Sequence, residues 1–552
     1  MSKQSPIWTP GFSAQNQVVT NAVQKRGMNI IPGIQTHFYE SPSFDKNLVE
    51  FWSYTDKLSY SRGDTVKIHT WASTTDIGVQ IYKDGVVPKV VYKSGRLQGK
   101  MHETPDECFA RGCDWPVAHT LDIPNDWPTG VYILETLADV PGRGQVKQEH
   151  FFVVRAGEVD VTRALFVLST ATYTAYNAWG GANHYEGITG ADEGLFSPVL
   201  SLQRPWERGF VRLPDGAPRI VHEQRPGPNF RVRNDDINWA YSLGYSKQYA
   251  AAGWAIYDRI FAIWAEQNGY QIDFATQHDL HFQSDLLDGY KLMVMAGHDE
   301  YWSREMRDAA DSFVDAGGNV AYLGANFLWQ IRLESEGDQQ ICYKWHPEQD
   351  PVYDTPDKSL TTTAWSHPSV NQPGAETRGV HSTYGVFAHY GGATPRASGG
   401  YTVYRDEHWV FEDTDLYFGD LFGHEAGIFG FEVDGVDFTF TDALPVPTYE
   451  DGAPESLQIL AMSPCVGAET VRHSDVPHLS GEDLSWLSTI RYGDDSPENQ
   501  ARANPGAGMM VAFERGEGQV FSSGTTDWVY GLKNRDFFTE QITKNVLNRF
   551  LA

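Results

Sequence analysis

Three short runs constrain the fold of this chain more than any other feature: RALFVLST (163–170), KLMVMAG (291–297) and NVAYLGAN (319–326). Each lacks the alternation of a half-wetted strand, so each reads as a strand buried on both faces. Helical patterns separate them. Trp254, Tyr257, Phe261 and Trp264 recur at spacings of three and four and end at Asn268-Gly269, a C-cap signature. QIDFATQ (271–277) is a further strand, and Ser303 caps a helix running through Phe313 to Gly317-Gly318. This order predicts a mostly parallel sheet with helices on both faces.

Before residue 158 the pattern is different. TVKIHTWAS, IGVQIYKDG, GVYILETLADV and HFFVVRAG alternate with period two, and Asp84-Gly85 supplies a hairpin-like turn. Residues 41–157 therefore read as an antiparallel, immunoglobulin-like β-sandwich behind an extended segment, 1–40, and the α/β domain takes 158–552. A chain of 552 residues exceeds one hydrophobic core, in keeping with such a division. Residues 330–500 are irregular and rich in Pro, Gly, Asp and aromatics, and read as long insertions of the kind that build substrate sites. A hairpin around Gly516 and an amphipathic helix, RDFFTEQITKNVLNRFLA, close the chain.

A formal charge of −29 repels phosphate backbones and anionic lipid, which excludes nucleic acid and membrane surfaces as main partners. Solubility is the plain reading of that acidity, and a homo-oligomer is compatible with it. The apolar runs fall far short of the roughly 20 residues of a membrane helix. The first residues carry no apolar signal core, so a cytoplasmic location is expected. Four cysteines are too few for a disulfide scaffold. Cys108 and Cys113 in CFARGC could pair or join a metal, but no second such pair completes a zinc set.

Ligands of open parallel sheets bind beyond the carboxyl ends of the strands. Tyr173 and Tyr176 follow the first run, His298, Asp299 and Glu300 the second, and Asn326 ends the third, so these groups are expected to converge on one edge. A carboxylate there can be a general base, a metal ligand or a helix cap; with Ser303 as the cap, Glu300 is not needed for that. A turn with a solvated Asp and a packed His is the bland alternative. Without GxSxG or GxCxG elbows, HExxH, GxGxxG or Walker motifs, covalent acyl transfer, zincin, dinucleotide and P-loop chemistries fall away. A carboxylate among tyrosines is a hard oxygen donor set, suited to a hard trivalent metal.

YTAYNAWGGANHYEG (173–187), GHDEYWS (297–303), YLGANFLWQIRLE (322–334), ICYKW (341–345), FGFEVDG (429–435) and GTTDW (524–528) resemble the catalytic region of the N,N-dimethylformamidase large subunit, from about residue 160 onward. The resemblance implies a β-sandwich followed by a glutamine-amidotransferase-like α/β domain. It implies a mononuclear non-haem ferric site (Fe3+) held by two tyrosinates and a glutamate: Tyr176, Tyr185 and Glu300. It places His298, Asn326, Lys344 and Glu432 in the pocket. The expected reaction is hydrolysis of a small N-substituted amide by iron-activated water, with His298 handling protons, Glu432 as general base and Asn326 donating to the oxyanion. The chain is shorter than the family's large subunit, which points to a single-subunit relative. The competing expectation is a non-catalytic ligand- or carbohydrate-binding protein on a degenerate amidotransferase-like fold, with Trp345, Trp365 and Trp409 stacking on a sugar or lining a small apolar pocket. A glutamine-dependent amidotransferase is excluded by the missing cysteine nucleophile.

Overall fold

In a computed structural model of the chain, the described residues are 40–42, 49–142, 144–187, 196–214, 216–218, 239–240, 245–387, 399–430, 432–466 and 482–552. The expected extended segment 1–40 therefore lies, but for Glu40, outside the described residues. The period-two runs form two sheets. One has the order Phe51–Thr55, Thr65–Ala72, Val117–Asp122; the other runs Ser59–Tyr60, Gly144–Val154, Gly130–Val140, Asp76–Lys83, Lys89–Lys93. Val66 and Ile68 of the first share a core with Val79, Ile81, Leu134 and Phe152 of the second. The second sheet is buried on its other face too, where Val131, Ile133, Phe151 and Val153 join the main core. GVYILETL, taken from sequence as alternating, is for that reason buried at every residue from Gly130 to Thr136.

The main sheet has eleven strands. Ile272–Thr276, Ala164–Leu168, Leu292–His298, Asn319–Ala325 and Gly518–Ser522 run parallel in that order. Beyond them Pro505–Arg515, Gln458–Val466 and Glu432–Gly435 continue the sheet through antiparallel pairings. The mostly parallel sheet expected from sequence is thus a mixed one. Its antiparallel part comes from the irregular region and from the hairpin at Gly516, and a tight hairpin can only join antiparallel neighbours.

Alternation along the parallel strands sends side chains to two cores. Phe166, Val294 and Leu323 meet Phe261 and Trp264 of the helix Arg259–Gln267, and Val546 of the closing helix Phe537–Leu551. Val167, Met293, Met295 and Val320 meet Met306, Ala310 and Val314 of the helix Arg304–Asp315, which Ser303 caps as expected. Each fully buried aliphatic or aromatic side chain contributes about 1.5–3 kcal/mol.

From Ala164–Leu168 the chain moves outward to Ile272–Thr276, then returns past its start to Leu292–His298. The order reverses between Ala164–Leu168 and Leu292–His298, and such a reversal opens a crevice at the carboxyl ends of the two strands. Gly297 lies at that end with φ +74°, and a Cβ there would stand 2.3 Å from the Cβ of Tyr257. Gly297→Ala is expected to destabilise the protein by about 3 kcal/mol, part from the left-handed backbone and part from the clash. A lowered denaturant midpoint would register it; an unchanged midpoint would contradict the close approach.

Candidate functional site

Tyr176 ends the short helix Thr170–Tyr176 that follows the first strand, and Tyr185 lies just beyond the next turn. Glu300 follows the neighbouring strand, and its backbone N–H donates to Thr172 Oγ1 (2.9 Å), tying the two strand ends together. Three oxygen groups meet there. The Tyr185 hydroxyl lies 2.6 and 2.7 Å from the two Glu300 oxygens, and the Tyr176 hydroxyl donates to Tyr185 Oη at 3.0 Å. Trp329 Nε1–H also donates to Glu300 Oε1 (2.6 Å).

His298 stands beside this cluster. Its Nδ1 lies 2.7 Å from the Ala251 carbonyl, and its Nε2 lies 2.8 Å from Glu432 Oε2 and 3.4 Å from Glu300 Oε2. Asn326 Nδ2 donates to the same Glu432 oxygen (2.6 Å). Asn326 adopts φ 71°, held by its N–H on Asp434 Oδ1 (2.9 Å) and by Ser382, whose hydroxyl donates to the Asn326 amide oxygen. Glu432 arrives from the antiparallel part of the sheet, its backbone clasped by Thr526 of GTTDW. Lys344, also at positive φ, donates to Tyr301 Oη (2.8 Å), and its ammonium sits 3.2 Å from the Tyr185 ring centroid.

Burial alone would lower the pKa of His298, but Glu432 and Glu300 outweigh it and raise it to about 10. Glu300 is held below the ordinary carboxylate value: burial pushes it up, and His298, Lys344 and Tyr185 together push it further down. Glu432 is raised by burial and by Glu300, with His298 only partly offsetting them. Glu432 is therefore the more basic carboxylate. Burial, and then the charge of Glu300, hold the phenols of Tyr176 and Tyr185 well above their usual range.

The structure thus brings together the seven residues that the resemblance places in the site: Tyr176, Tyr185, His298, Glu300, Asn326, Lys344 and Glu432. Other candidates go elsewhere. Asp299 points away from the site and pairs with buried Arg378, which stacks on Trp302, Tyr322 and Phe327. Tyr173 donates to the buried carboxyl of Asp258. Cys108 and Cys113 are free thiols in a tryptophan-rich core cluster. Trp365 stacks on Phe327 deep in the core and Trp409 packs on Phe550, so only Trp345 reaches the site, edge-on to Tyr185. Trp329, Thr172 and Tyr301 were not anticipated; an indole or hydroxyl that serves a carboxylate is indistinguishable in sequence from one that fills a core.

Among the described residues no three His, Cys, Asp or Glu side chains form a metal-holding group, so a cation here would need the tyrosines. Two phenol oxygens and a carboxylate in hydrogen-bonding contact fit a hard trivalent ion. Phenols held this far up ionise only beside a strong positive charge, which such an ion provides.

Loss of Arg378 would leave the buried Asp299 side chain without its cationic partner. Arg378→Leu is expected to destabilise the protein by about 3–5 kcal/mol, read as a lowered denaturant midpoint.

The turn after Tyr176 is held by Glu207, whose carboxylate accepts from Ala178 N–H (3.1 Å) and Ser246 Oγ–H (2.6 Å). Burial, and then Glu40, raise the pKa of Glu207 from 4.5 to about 8. A raised value means that the native state keeps a proton the unfolded chain releases above 4.5. Its contribution to stability is full below 4.5 and is lost as pH rises through about 8. Glu207→Gln, permanently neutral, should flatten the fall in melting temperature across that window; an unchanged pH profile would contradict the raised value.

The sequence matches the family described as N,N-dimethylformamidase beta subunit-like, C-terminal, over residues 76–542. It is 27% identical over 309 residues to the N,N-dimethylformamidase beta subunit of Alcaligenes sp and, to the same extent, to that of Paracoccus aminophilus. These alignments take in 52% of this chain and 36% of each relative, so the chain spans about a third of the length of the curated relatives it matches. The family match begins at residue 76, inside the N-terminal sheets, well before the motifs that start near residue 160.

Proposed function

Because the chain belongs to the N,N-dimethylformamidase beta subunit-like, C-terminal family, we propose that it hydrolyses the C–N bond of a small N-substituted amide. The observation that carries this reading is the meeting of Tyr176, Tyr185 and Glu300 with His298, Glu432 and Asn326 at the reversal point of the sheet. In the same reading residues 41–157 are an immunoglobulin-like β-sandwich and 158–552 a glutamine-amidotransferase-like α/β domain.

Tyr176, Tyr185 and Glu300 are the residues that would hold a ferric ion, which when bound supplies a Lewis acid for the amide carbonyl. Lys344, against the Tyr185 ring, lowers the cost of phenolate there. Glu432, the more basic carboxylate, takes a proton from the attacking water. Asn326 donates to the oxygen that becomes negative as the carbonyl carbon turns tetrahedral. His298, held cationic between two carboxylates, gives its proton to the departing amine as the C–N bond breaks. The proton on Glu432 then restores His298.

The relatives are named as subunits, which supports an assembled enzyme, either an oligomer of this chain or a complex with another. Four free, buried thiols suit a reducing cytoplasm, and among the described residues no helix is long and apolar enough to cross a membrane. The carbohydrate-binding alternative lacks a platform, since Trp345, Trp365 and Trp409 pack in different places.

Elemental analysis of the purified protein should give stoichiometric iron, with a visible tyrosinate-to-iron band. Glu300→Gln and Tyr185→Phe should each remove or shift that band, and an unaltered band in Tyr185→Phe would sink the ligand set. His298→Ala should retain metal and lower kcat about 10²–10⁴-fold. Intact-protein mass spectra during turnover should show no acyl adduct.

A further inference from the structure

The Asp84-Gly85 turn has no part in the chemistry above, yet its carboxylate is filled by donors from the other half of the molecule. Trp254 Nε1–H (2.9 Å) and Arg259 Nε–H (2.7 Å) donate to Asp84 Oδ2, and a terminal Arg259 nitrogen donates to Oδ1 at 3.1 Å. Two residues on, the Val86 N–H donates to Glu266 at the far end of the same helix (2.8 Å). Asp84 is almost fully buried, with 6% of its side chain exposed.

Trp254 and Arg259 bracket a single π-helical turn, Trp254–Asp258, that leads into the helix Arg259–Gln267. Such turns, bonded i→i+5, are rare and are found frequently at functional sites. This one touches the site three ways. The Ala251 carbonyl just ahead of it meets His298 Nδ1, the Tyr257 ring lies edge-on to the imidazole at 6.3 Å against Gly297, and Asp258 receives the Tyr173 hydroxyl from the helix that ends in Tyr176.

We propose that Asp84 is a positioning residue for His298, acting through the π-turn; this rests on the reading of His298 as proton carrier. The carbonyl on Nδ1 fixes the ring so that Nε2 faces Glu432. Freed of its anchor, the π-turn relaxes toward α-helical register. One residue of register is about 1.5 Å of travel, enough to carry the Ala251 carbonyl out of hydrogen-bonding range. The N-terminal sheets thereby help to set the orientation of His298.

The test compares Asp84→Ala, Asp84→Asn and Trp254→Phe with the wild type in two readouts. In protein labelled with [15N]histidine and loaded with diamagnetic Ga3+ in place of paramagnetic iron, the His298 Nδ1–H resonance, assigned by its absence in His298→Gln, should be sharp in the wild type. It should be lost in Asp84→Ala and retained in Asp84→Asn, which still accepts from Trp254. With N,N-dimethylformamide as probe, kcat of Asp84→Ala should fall about 10–10²-fold while KM changes less than about twofold. A folded Asp84→Ala that keeps the resonance, even with a lowered melting temperature, would overturn the proposal. Should that variant not fold, Trp254→Phe decides: loss of the resonance supports positioning and its retention overturns it. If the wild type turns over no amide, the functional reading fails by itself, and the resonance still decides the role of Asp84.

Discussion

His298 ends the strand Leu292–His298, Asp299 and Glu300 follow it, and the whole site depends on Asp299 turning away from the side that His298 and Glu300 share. The Asp299 carboxylate takes Arg378, the Trp302 indole (2.8 Å) and Gln277 Nε2 (3.1 Å) on the face away from the site. Gln277 in turn accepts from the Ala171 backbone (2.8 Å) in the helix that carries Thr172 and Tyr176. With Asp299 fixed, His298 and Glu300 have only the crevice to enter. The same bonds join the second strand end to the first.

What they enter is a region of buried charge, which is costly unless every ion is paired. Glu300 and Glu432 face His298, and Lys344 adds a second cation close to Tyr185 and Glu300. Two negative and two positive side chains leave little net charge among these four groups. The inequality between the carboxylates matters equally. Glu300, with Tyr185, Trp329 and His298 around it, is the better anion, whereas Glu432 has the greater proton affinity. Two glutamates on one imidazole thus acquire different chemistry from their neighbours alone.

Much of this was legible in the sequence where local pattern and structure share a cause. Continuous apolar runs marked the parallel strands, and residues just past them, Tyr176, His298, Glu300 and Asn326, fell at one edge because parallel strands end together. Tyr185, Lys344 and Glu432 could be named only by resemblance. The last two sit in irregular sequence, Lys344 on a left-handed backbone and Glu432 in a strand that joins the sheet from its antiparallel end. The mixed character of the sheet was hidden for the same reason, since no periodicity marks Gln458–Val466 as a partner of Pro505–Arg515. Tyr173, at the right strand end, was drawn aside by Asp258, a carboxylate about 85 residues away in sequence that no local rule connects to it.

The N-terminal sheets also looked chemically silent in sequence, because alternating strands advertise only which face is buried. Packing gives them a further part. Val131, Ile133, Phe151 and Val153 enter the main core on the side of the helix Arg259–Gln267, and the Asp84 turn reaches past them to the π-turn before that helix. The family match begins at residue 76, so it takes in this turn together with the site. A hydrophobic face can hold two sheets against a helix but cannot set the rotation of one imidazole; a buried carboxylate that takes three directed hydrogen bonds from Trp254 and Arg259 can, because each bond fixes a direction as well as a distance.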